Sequence, residues 1–185
     1  YCCTSGNADK VVKHLFEQGH EHVVFLPDEF LARNTAHEMK VAYVEAGPAL
    51  DGKDGVAGPK KGEPTIIGWK ARCEVHELFT VEDVQNVRKQ FPDVVILAHP
   101  ECPPEVIEVC DISGSTKVMA EYVRDVDAPR YLLLTECAMG DNLAAMYPHR
   151  EMLRLCSLRC EHMNLITLQD TLLALEKMQY KIELS

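Results

Sequence analysis

Residues 96–106 read ILAHPECPPEV, an apolar run that ends at side chains able to do acid-base chemistry. His99 and Glu101 follow the run directly, and two prolines come after Cys102. Imidazole and carboxylate groups both take up and release protons. A histidine at the end of a strand is also commonly a hydrogen-bonded structural residue, so the segment alone is compatible with either role. Cys102 is interpreted as structural.

Cysteine and histidine residues elsewhere in the chain offer metal ligands. Cys73 and His76 lie in ARCEVHE, and the segment RLCSLRCEHM carries Cys156, Cys160 and His162. These residues could hold zinc, although their spacing fits no zinc finger well. Thiolates from distant segments also suit an iron-sulfur cluster with one iron open to substrate. The spacing does not decide between these two kinds of site.

Helix and strand patterns alternate along the chain. Helical spacing precedes a short apolar run three times: ADKVVKHLFEQG before HVVFLPD, VEDVQNVRKQFPD before VVILAHPE, and TKVMAEYVRDVDAPR before YLLLTE. Short uncharged strands that alternate with helices predict parallel sheets covered by helical layers. CCTSGNADKVV near the start resembles CDISGSTKVM at 110–119. We therefore expect two related α/β units, joined through an insertion rich in Gly, Pro and Lys at about 45–64.

Polar residues follow several of the predicted strands. In chain order they are Pro27-Asp28, GWKARCEVHE, HPEC, the turn SGST, and TEC. Open parallel α/β sheets bind ligands beyond the carboxyl ends of their strands, where loops converge and helix N-termini present free N–H groups. The clustering predicts an active site at this edge. A partly desolvated Glu101 there, with its pKa raised toward neutrality, could shuttle protons.

The composition excludes several classes of protein. Of the 185 residues 46% are hydrophobic, and the formal net charge is -10, without a basic run that would suit nucleic acid. No apolar stretch approaches the roughly 18 residues needed to cross a bilayer. The eight cysteines could form a disulfide scaffold. Strong helix and strand patterns argue instead for free thiols in a reducing compartment.

Seven segments together resemble the quinolinate synthase family, also called the quinolinate synthetase A family. They are CTSGNA (3–8), PDEFLA (27–32), WKARCEVHE (69–77), HPEC (99–102), GST (114–116), TE (135–136) and CEHMNLITLQDTLLAL (160–175). The resemblance extends over nearly the whole chain apart from the insertion at 45–64. Several motifs in a fixed order are far more specific than any one of them.

The resemblance implies a fold, a reaction and a cofactor. The family is expected to have three pseudo-symmetric α/β domains of αβα layers with short parallel sheets, and a 4Fe-4S cluster bound by three cysteines, one per domain. It condenses iminoaspartate with dihydroxyacetone phosphate, losing phosphate and two waters, to give quinolinate for NAD biosynthesis. A source of iminoaspartate, such as L-aspartate oxidase, is the partner this implies. The cytoplasm, or a plastid in a eukaryote, is the implied compartment.

Roles for individual residues follow from the matched motifs. Cys73 and Cys160 resemble two of the cluster ligands and are therefore expected to lie near each other. His99 and Glu101 resemble the substrate-binding histidine and the catalytic glutamate. Three hydroxyl groups resemble those that hold the carboxylates or phosphate of the substrate: Ser5, Ser115 and Thr116.

The family's first domain, with its own cluster cysteine, has no counterpart in this sequence, and the chain does not begin with Met. We therefore expect the C-terminal part of a synthase, with the N-terminal domain truncated or on a separate chain. Residues 1–64 would complete one α/β unit and carry the insertion. Residues 65–150 would form the second unit, and 151–185 a C-terminal segment with a cluster cysteine.

Two other functions remain compatible with the sequence. One is a two-unit α/β module that binds a small anion through the same Ser-Gly turns without chemistry. The other is a zinc-dependent hydrolase with Cys73, His76 and His99 as ligands.

Overall fold

The computed structural model describes residues 1–46, 58–155, 159–179 and 181–183. Most of the predicted insertion at 45–64 lies outside these residues, and so does Cys156. The described chain forms two all-parallel sheets with helices packed on them, which confirms the predicted α/β class with short parallel sheets.

The first sheet has three strands in the order β1-β3-β2. The strands are β1 (His22–Phe25), β2 (Ala42–Ala46) and β3 (Thr65–Trp69), and the helices are α1 (Ala8–Glu17) and α2 (Glu29–Met39). Both helices contribute to one buried cluster, in which Val12, Leu31 and Ala32 pack with Phe25 and Ile66 of the sheet. Val24 points to the opposite face of β1 and is 63% exposed.

The second sheet has four strands in the order β5-β4-β6-β7. Its strands are β4 (Val94–Ala98), β5 (Ile112–Ser113), β6 (Arg130–Leu134) and β7 (Glu151–Leu153). Its helices are α3 (Val81–Gln90), α4 (Pro104–Ile107), α5 (Thr116–Asp125) and α6 (Cys137–Met146). A short 3-10 helix, His76–Leu78, lies between the two sheets in sequence.

Alternating side chains of the central strands fill a hydrophobic core on each face of the second sheet. Leu132 and Leu134 join a cluster with Val84 of α3 and Val106 of α4. Tyr131 and Leu133 face the other way, into a cluster with Met119 and Val123 of α5 and Leu143 of α6. Because both faces are covered, this unit is an αβα sandwich, and its uninterrupted apolar strands are typical of a parallel sheet.

The register of the strands brings their carboxyl ends level. Ala98 at the end of β4 pairs with Leu134 of β6 and with Ser113 of β5. In the first sheet Phe25 pairs with Gly68, and a single bridge between Asp28 and Ala71 extends the pairing. The residues that follow these strands therefore start from a common edge in each sheet.

β3 pairs with β1 and β2, so the predicted boundary between residues 64 and 65 separates it from its own sheet. The division into domains itself stays a prediction. The C-terminal helices α7 (Glu161–Asn164) and α8 (Leu168–Lys177) contain no buried residue. Within the described ranges, no helix has the length and hydropathy that would allow it to cross a membrane.

Candidate active site

A stacked pair of histidines lies where the loops after β3, β4 and β6 meet. The rings of His76 and His99 are 4.3 Å apart at their centroids and inclined by 15°. His76 Nε2 is 3.0 Å from the Thr135 hydroxyl, which follows β6 directly. Both histidines are almost completely buried. Three loops that are distant in sequence thus enclose one polar site.

The carboxylate of Glu101 lies beside both rings. Its Oε2 is 3.0 Å from Nδ1 of His76 and 3.7 Å from Nδ1 of His99. The backbone N–H of Glu101 donates to Nδ1 of His99 at 3.3 Å, so this nitrogen of His99 is an acceptor. The loop HPEC therefore folds back on its own histidine and presents the carboxylate to His76.

The two histidines of the site differ in pKa. Burial alone would lower the pKa of His76, but the Cys73 thiol and the Glu101 carboxylate outweigh it and raise the pKa to about 9. Burial, together with the charge on His76, lowers the pKa of His99. Near neutral pH, His76 is therefore the charged histidine and His99 the neutral one.

The expectation that the pKa of Glu101 is raised is wrong. Burial does act in that direction, but the contacts with His76 and His99 outweigh it and hold the pKa of this carboxyl below its usual range. The sequence shows that the segment is apolar and therefore buried, which accounts for the expectation. It does not show that a charged histidine from another loop lies 3.0 Å away.

Ser5, which precedes α1, contacts this site. Its hydroxyl is 3.1 Å from Nε2 of His99, across 94 residues of sequence. The turn containing Ser5 also lies against the similar turn that contains Ser115. The space beside Gly6 is so narrow that a Cβ on this residue would lie 3.2 Å from the Ser115 hydroxyl. The two Ser-Gly turns that resemble each other in sequence are therefore neighbours in space.

A cavity of about 470 Å³ lies between the two turns. Ser5, Ser115 and Asn34 are among its lining residues. The Ser115 hydroxyl also accepts the backbone N–H of Val118 as the N-cap of α5. Thr116, the first residue of α5, is exposed and is not among the residues that line the cavity. Of the three predicted hydroxyls, Ser5 and Ser115 thus face this space.

Two groups of possible metal ligands occur among the described residues. The ligand atoms of Cys73, His76 and Glu101 all lie within 4.8 Å of one another, as do those of a second group, Glu74, Cys160 and His162. The first group is partly or fully buried, whereas the second is mostly exposed. The zinc ligands considered from the sequence were Cys73, His76 and His99. In the structure Glu101, rather than His99, completes the group with Cys73 and His76.

Cys160 lies beside the loop that carries Cys73. The Cys160 thiol is 3.6 Å from Oε1 of Glu74, the residue that follows Cys73. Both cysteines also pack against the same hydrophobic cluster. Burial would raise the pKa of Cys73, but His76 lowers it overall and favours the thiolate that metals bind.

The family model for quinolinate synthetase A protein matches residues 1–185. The chain belongs to the quinolinate synthetase A family. It is 44% identical over 181 residues to a quinolinate synthase of Agrobacterium fabrum, covering 98% of this chain and 45% of that relative. It is 42% identical to quinolinate synthase 2 of Mesorhizobium japonicum, with 98% and 48% covered, and 42% identical to a quinolinate synthase of Xylella fastidiosa, with 98% and 45% covered.

These relatives confirm the resemblance that the seven motifs indicated. The chain spans about half the length of the curated quinolinate synthases it matches. The motifs of the quinolinate synthetase A family that end the strands, including WKARCEVHE and HPEC, are the segments that supply His76, His99 and Glu101 to the site.

Two residues of the site received no role from the sequence. Thr135 holds the ring of His76, and the Asn34 amide donates to the carbonyls of Pro100 and Cys102 at 2.7 and 3.0 Å. Thr135 belongs to the TE motif of the quinolinate synthetase A family, so the sequence identified it as part of a motif. The sequence did not identify its contact with His76. Asn34 lies on α2 and has no sequence signal, because its partners are backbone carbonyls of a distant loop.

Proposed function

We propose that this chain forms part of an enzyme that condenses iminoaspartate with dihydroxyacetone phosphate to quinolinate, with loss of phosphate and water, for de novo NAD biosynthesis. Membership of the quinolinate synthetase A family supports the proposal. The contact between Ser5 and His99 is the observation that carries it at the level of residues. It joins the Ser-Gly turn that contains Ser5 directly to the acid-base group, and Ser5 also lines the adjoining cavity of about 470 Å³, whose size suits a small substrate.

Glu101 is proposed as the group that moves protons. The condensation and the dehydrations require a base that removes a proton and an acid that returns it. The lowered pKa keeps Glu101 ionised near neutral pH, so it begins as the base. Once protonated, it is an acid beside His76, whose positive charge favours return of the proton to the departing hydroxyl.

His99 and the serines are proposed to bind substrate. His99 is neutral, and the Ser5 hydroxyl lies 3.1 Å from its Nε2, so the pair can hold a polar substrate group without adding charge. Ser5 and Ser115 face the cavity near the N-termini of α1 and α5, which favours anions. Carboxylate and phosphate groups of the two substrates suit these turns, with Thr116 at the start of α5 as a further hydroxyl.

Cys73 and Cys160 are proposed as two ligands of a 4Fe-4S cluster. The lowered pKa of Cys73 and the position of Cys160 beside Glu74 fit thiolates that share one inorganic core. The third thiolate would come from the part of full-length relatives that this chain does not match. The bound cluster would supply a Lewis-acidic iron that polarises a substrate oxygen. We further propose a cytoplasmic location, or a plastid in a eukaryote, with supply of iminoaspartate by L-aspartate oxidase or another source.

The proposal is tested on a full-length, anaerobically purified synthase that contains this chain. We expect quinolinate formation and a broad iron-thiolate absorption, both of which Cys73→Ser and Cys160→Ser abolish. Cys137→Ser is the matched control, since this half-buried cysteine contacts only the neighbouring Glu136 among the hydrogen-bond partners described, and it should keep both signals. Full absorption in the Cys160→Ser protein would contradict the assignment of that ligand, and absence of quinolinate in the unmodified protein would contradict the function.

A further inference from the structure

Cys73, His76 and Glu101 form a ligand set of mixed chemistry at the end of the first and second sheets. Their sulfur, nitrogen and oxygen atoms lie within 4.8 Å of one another. Cys73 and His76 come from the loop after β3, and Glu101 from the loop after β4. Thiolate, imidazole and carboxylate are the three kinds of side chain that bind zinc in proteins.

The Nδ1 nitrogen of His76 faces the other two ligands. Nδ1 is buried and makes no hydrogen bond within the described residues, although Oε2 of Glu101 lies 3.0 Å away. The opposite nitrogen, Nε2, lies 3.0 Å from the Thr135 hydroxyl. A metal-bound histidine normally donates its second N–H to an oxygen in this way, and a metal at Nδ1 would displace the proton that His76 carries there near neutral pH.

The backbone around the thiol is also fixed in place. The N–H of Cys73 donates to Oδ2 of Asp28 at 2.8 Å, and Asp28 is buried. The stacked ring of His99 holds His76 from its other side. The ligands therefore need little reorganisation to bind an ion.

A second cavity, of about 140 Å³, adjoins the thiol and the carboxylate. Asp28, Ala71 and Arg72 line it together with Cys73 and Glu101. Three protein ligands beside an accessible cavity are the arrangement in which zinc keeps a fourth position for water or a small ligand.

We propose that Cys73, His76 and Glu101 bind a single divalent ion of the zinc class, which needs neither iron nor a third cysteine. The site goes beyond the proposed synthase function, because it is complete within this chain. It shares one thiolate with the proposed cluster. An iron-free protein is therefore the form that would show it.

The other ligand group, Glu74, Cys160 and His162, provides the matched control. The side chain of His162 is 79% exposed and that of Glu74 46% exposed. Only Cys160 packs against a buried cluster, and the other two ligands lie at the surface, so we expect this group to bind zinc much more weakly than the first group.

The experiment measures zinc affinity of the full chain, prepared metal-free and under reducing, anaerobic conditions, by competition with a chromophoric chelator. We expect one tight Zn²⁺ per chain. His76→Gln and Glu101→Gln should each weaken binding by at least about tenfold, and Thr135→Val by about tenfold to a hundredfold because it releases the orientation of His76. Cys160→Ser and His162→Gln should change affinity by less than about threefold.

Cobalt provides an independent readout of the ligands. Thiolate-to-Co²⁺ charge transfer should be present in the unmodified chain and in Cys160→Ser, and absent in Cys73→Ser. Circular dichroism without metal establishes that each variant is folded. If Cys73→Ser fails to fold, Glu101→Gln and Thr135→Val decide the question by affinity alone. Unchanged zinc affinity in these two variants, or a loss in Cys160→Ser equal to that in His76→Gln, would overturn the proposal.

Discussion

The carboxylate of Glu101 lies beside two histidines, the charged His76 and the neutral His99. His76, with a pKa raised to about 9, stabilises the carboxylate form of Glu101. The pKa of His99 is lowered, and its Nε2 lies 3.1 Å from the Ser5 hydroxyl. The two histidines thus differ in charge near neutral pH, because His76 faces a thiol and a carboxylate and His99 faces a hydroxyl.

Glu101→Gln in a full-length synthase should separate proton transfer from structure. The amide keeps the size and one acceptor oxygen of the carboxylate but does not take up a proton at working pH. We expect folding and substrate affinity to be preserved while turnover falls by roughly two to four orders of magnitude. Steady-state kinetics and a melting curve on the same variant measure the two effects.

Glu105→Gln is the control for this substitution. Glu105 lies on α4, four residues further along, and is exposed, so its amide should leave turnover unchanged. Near-normal turnover with a lowered melting point in Glu101→Gln would argue against proton transfer by this residue. His99 would then be the leading candidate.

At the scale of elements, one buried carboxylate connects α2 to the loop that carries Cys73. Glu29 lies in the first turn of α2, and its side chain is fully buried. Its two oxygens lie 3.0 Å from Arg33, one turn along the helix, and 3.0 Å from Arg72, the residue before Cys73. Asp28, just before the helix, accepts the N–H groups of Leu31 and Cys73. The start of α2 therefore anchors the loop that carries Cys73.

Glu29→Gln should destabilise the chain strongly. The substitution removes two charge-assisted contacts of a buried carboxylate, while the two arginine side chains are each 39% exposed and stay solvated, so we expect a loss of about 1.5–3 kcal/mol. Chemical denaturation monitored by circular dichroism measures the loss in free energy of unfolding.

Glu45→Gln is the matched comparison, because Glu45 also pairs with two cations, Arg33 and Lys70, each at 2.9 Å, but its side chain is 27% exposed. A partly exposed pair of this kind should contribute only about 0.2–1 kcal/mol. Equal losses in the free energy of unfolding of the two variants would show that the buried contacts of Glu29 add no more stability than the partly exposed contacts of Glu45.

Across the whole molecule, stability should be distributed unevenly. The central strands β4 and β6 are buried by helices on both faces, and Ile96, Leu97, Leu132 and Leu134 have no measurable exposure. The C-terminal helix α8 has a capping box at Thr167 but no buried residue. Local propensity and capping stabilise a short helix only marginally when packing does not add to them.

Amide hydrogen exchange followed by mass spectrometry should therefore distinguish two helices of equal length. α5 and α8 each have 10 residues, but α5 buries Met119 and Val123. We expect amides of α8 to exchange far faster than those of α5, and amides of β4 and β6 to exchange most slowly of all. Protection of α8 equal to that of α5 in the isolated chain would contradict this order.

The sequence by itself determined the kind of fold and several of its elements. The apolar runs that predict strands coincide with β1, β4 and β6, and the helical spacings coincide with α1, α3 and α5. These features depend on hydrogen bonds and side-chain periodicity within a few residues, so they are readable locally. The motifs also determined the family, because seven short segments in a fixed order are unlikely to recur by chance.

Only the tertiary structure decided which of those residues meet. The order β1-β3-β2 assigns β3 to the first sheet, although it follows the insertion in sequence. The convergence of three loops made His76, rather than His99, the nearest neighbour of the Glu101 carboxylate, and this contact reversed the expected direction of its pKa shift. Ser5 and His99 are 94 residues apart and in contact. Such proximities depend on strand order and on the packing of one unit against the other, which no local pattern of residues encodes.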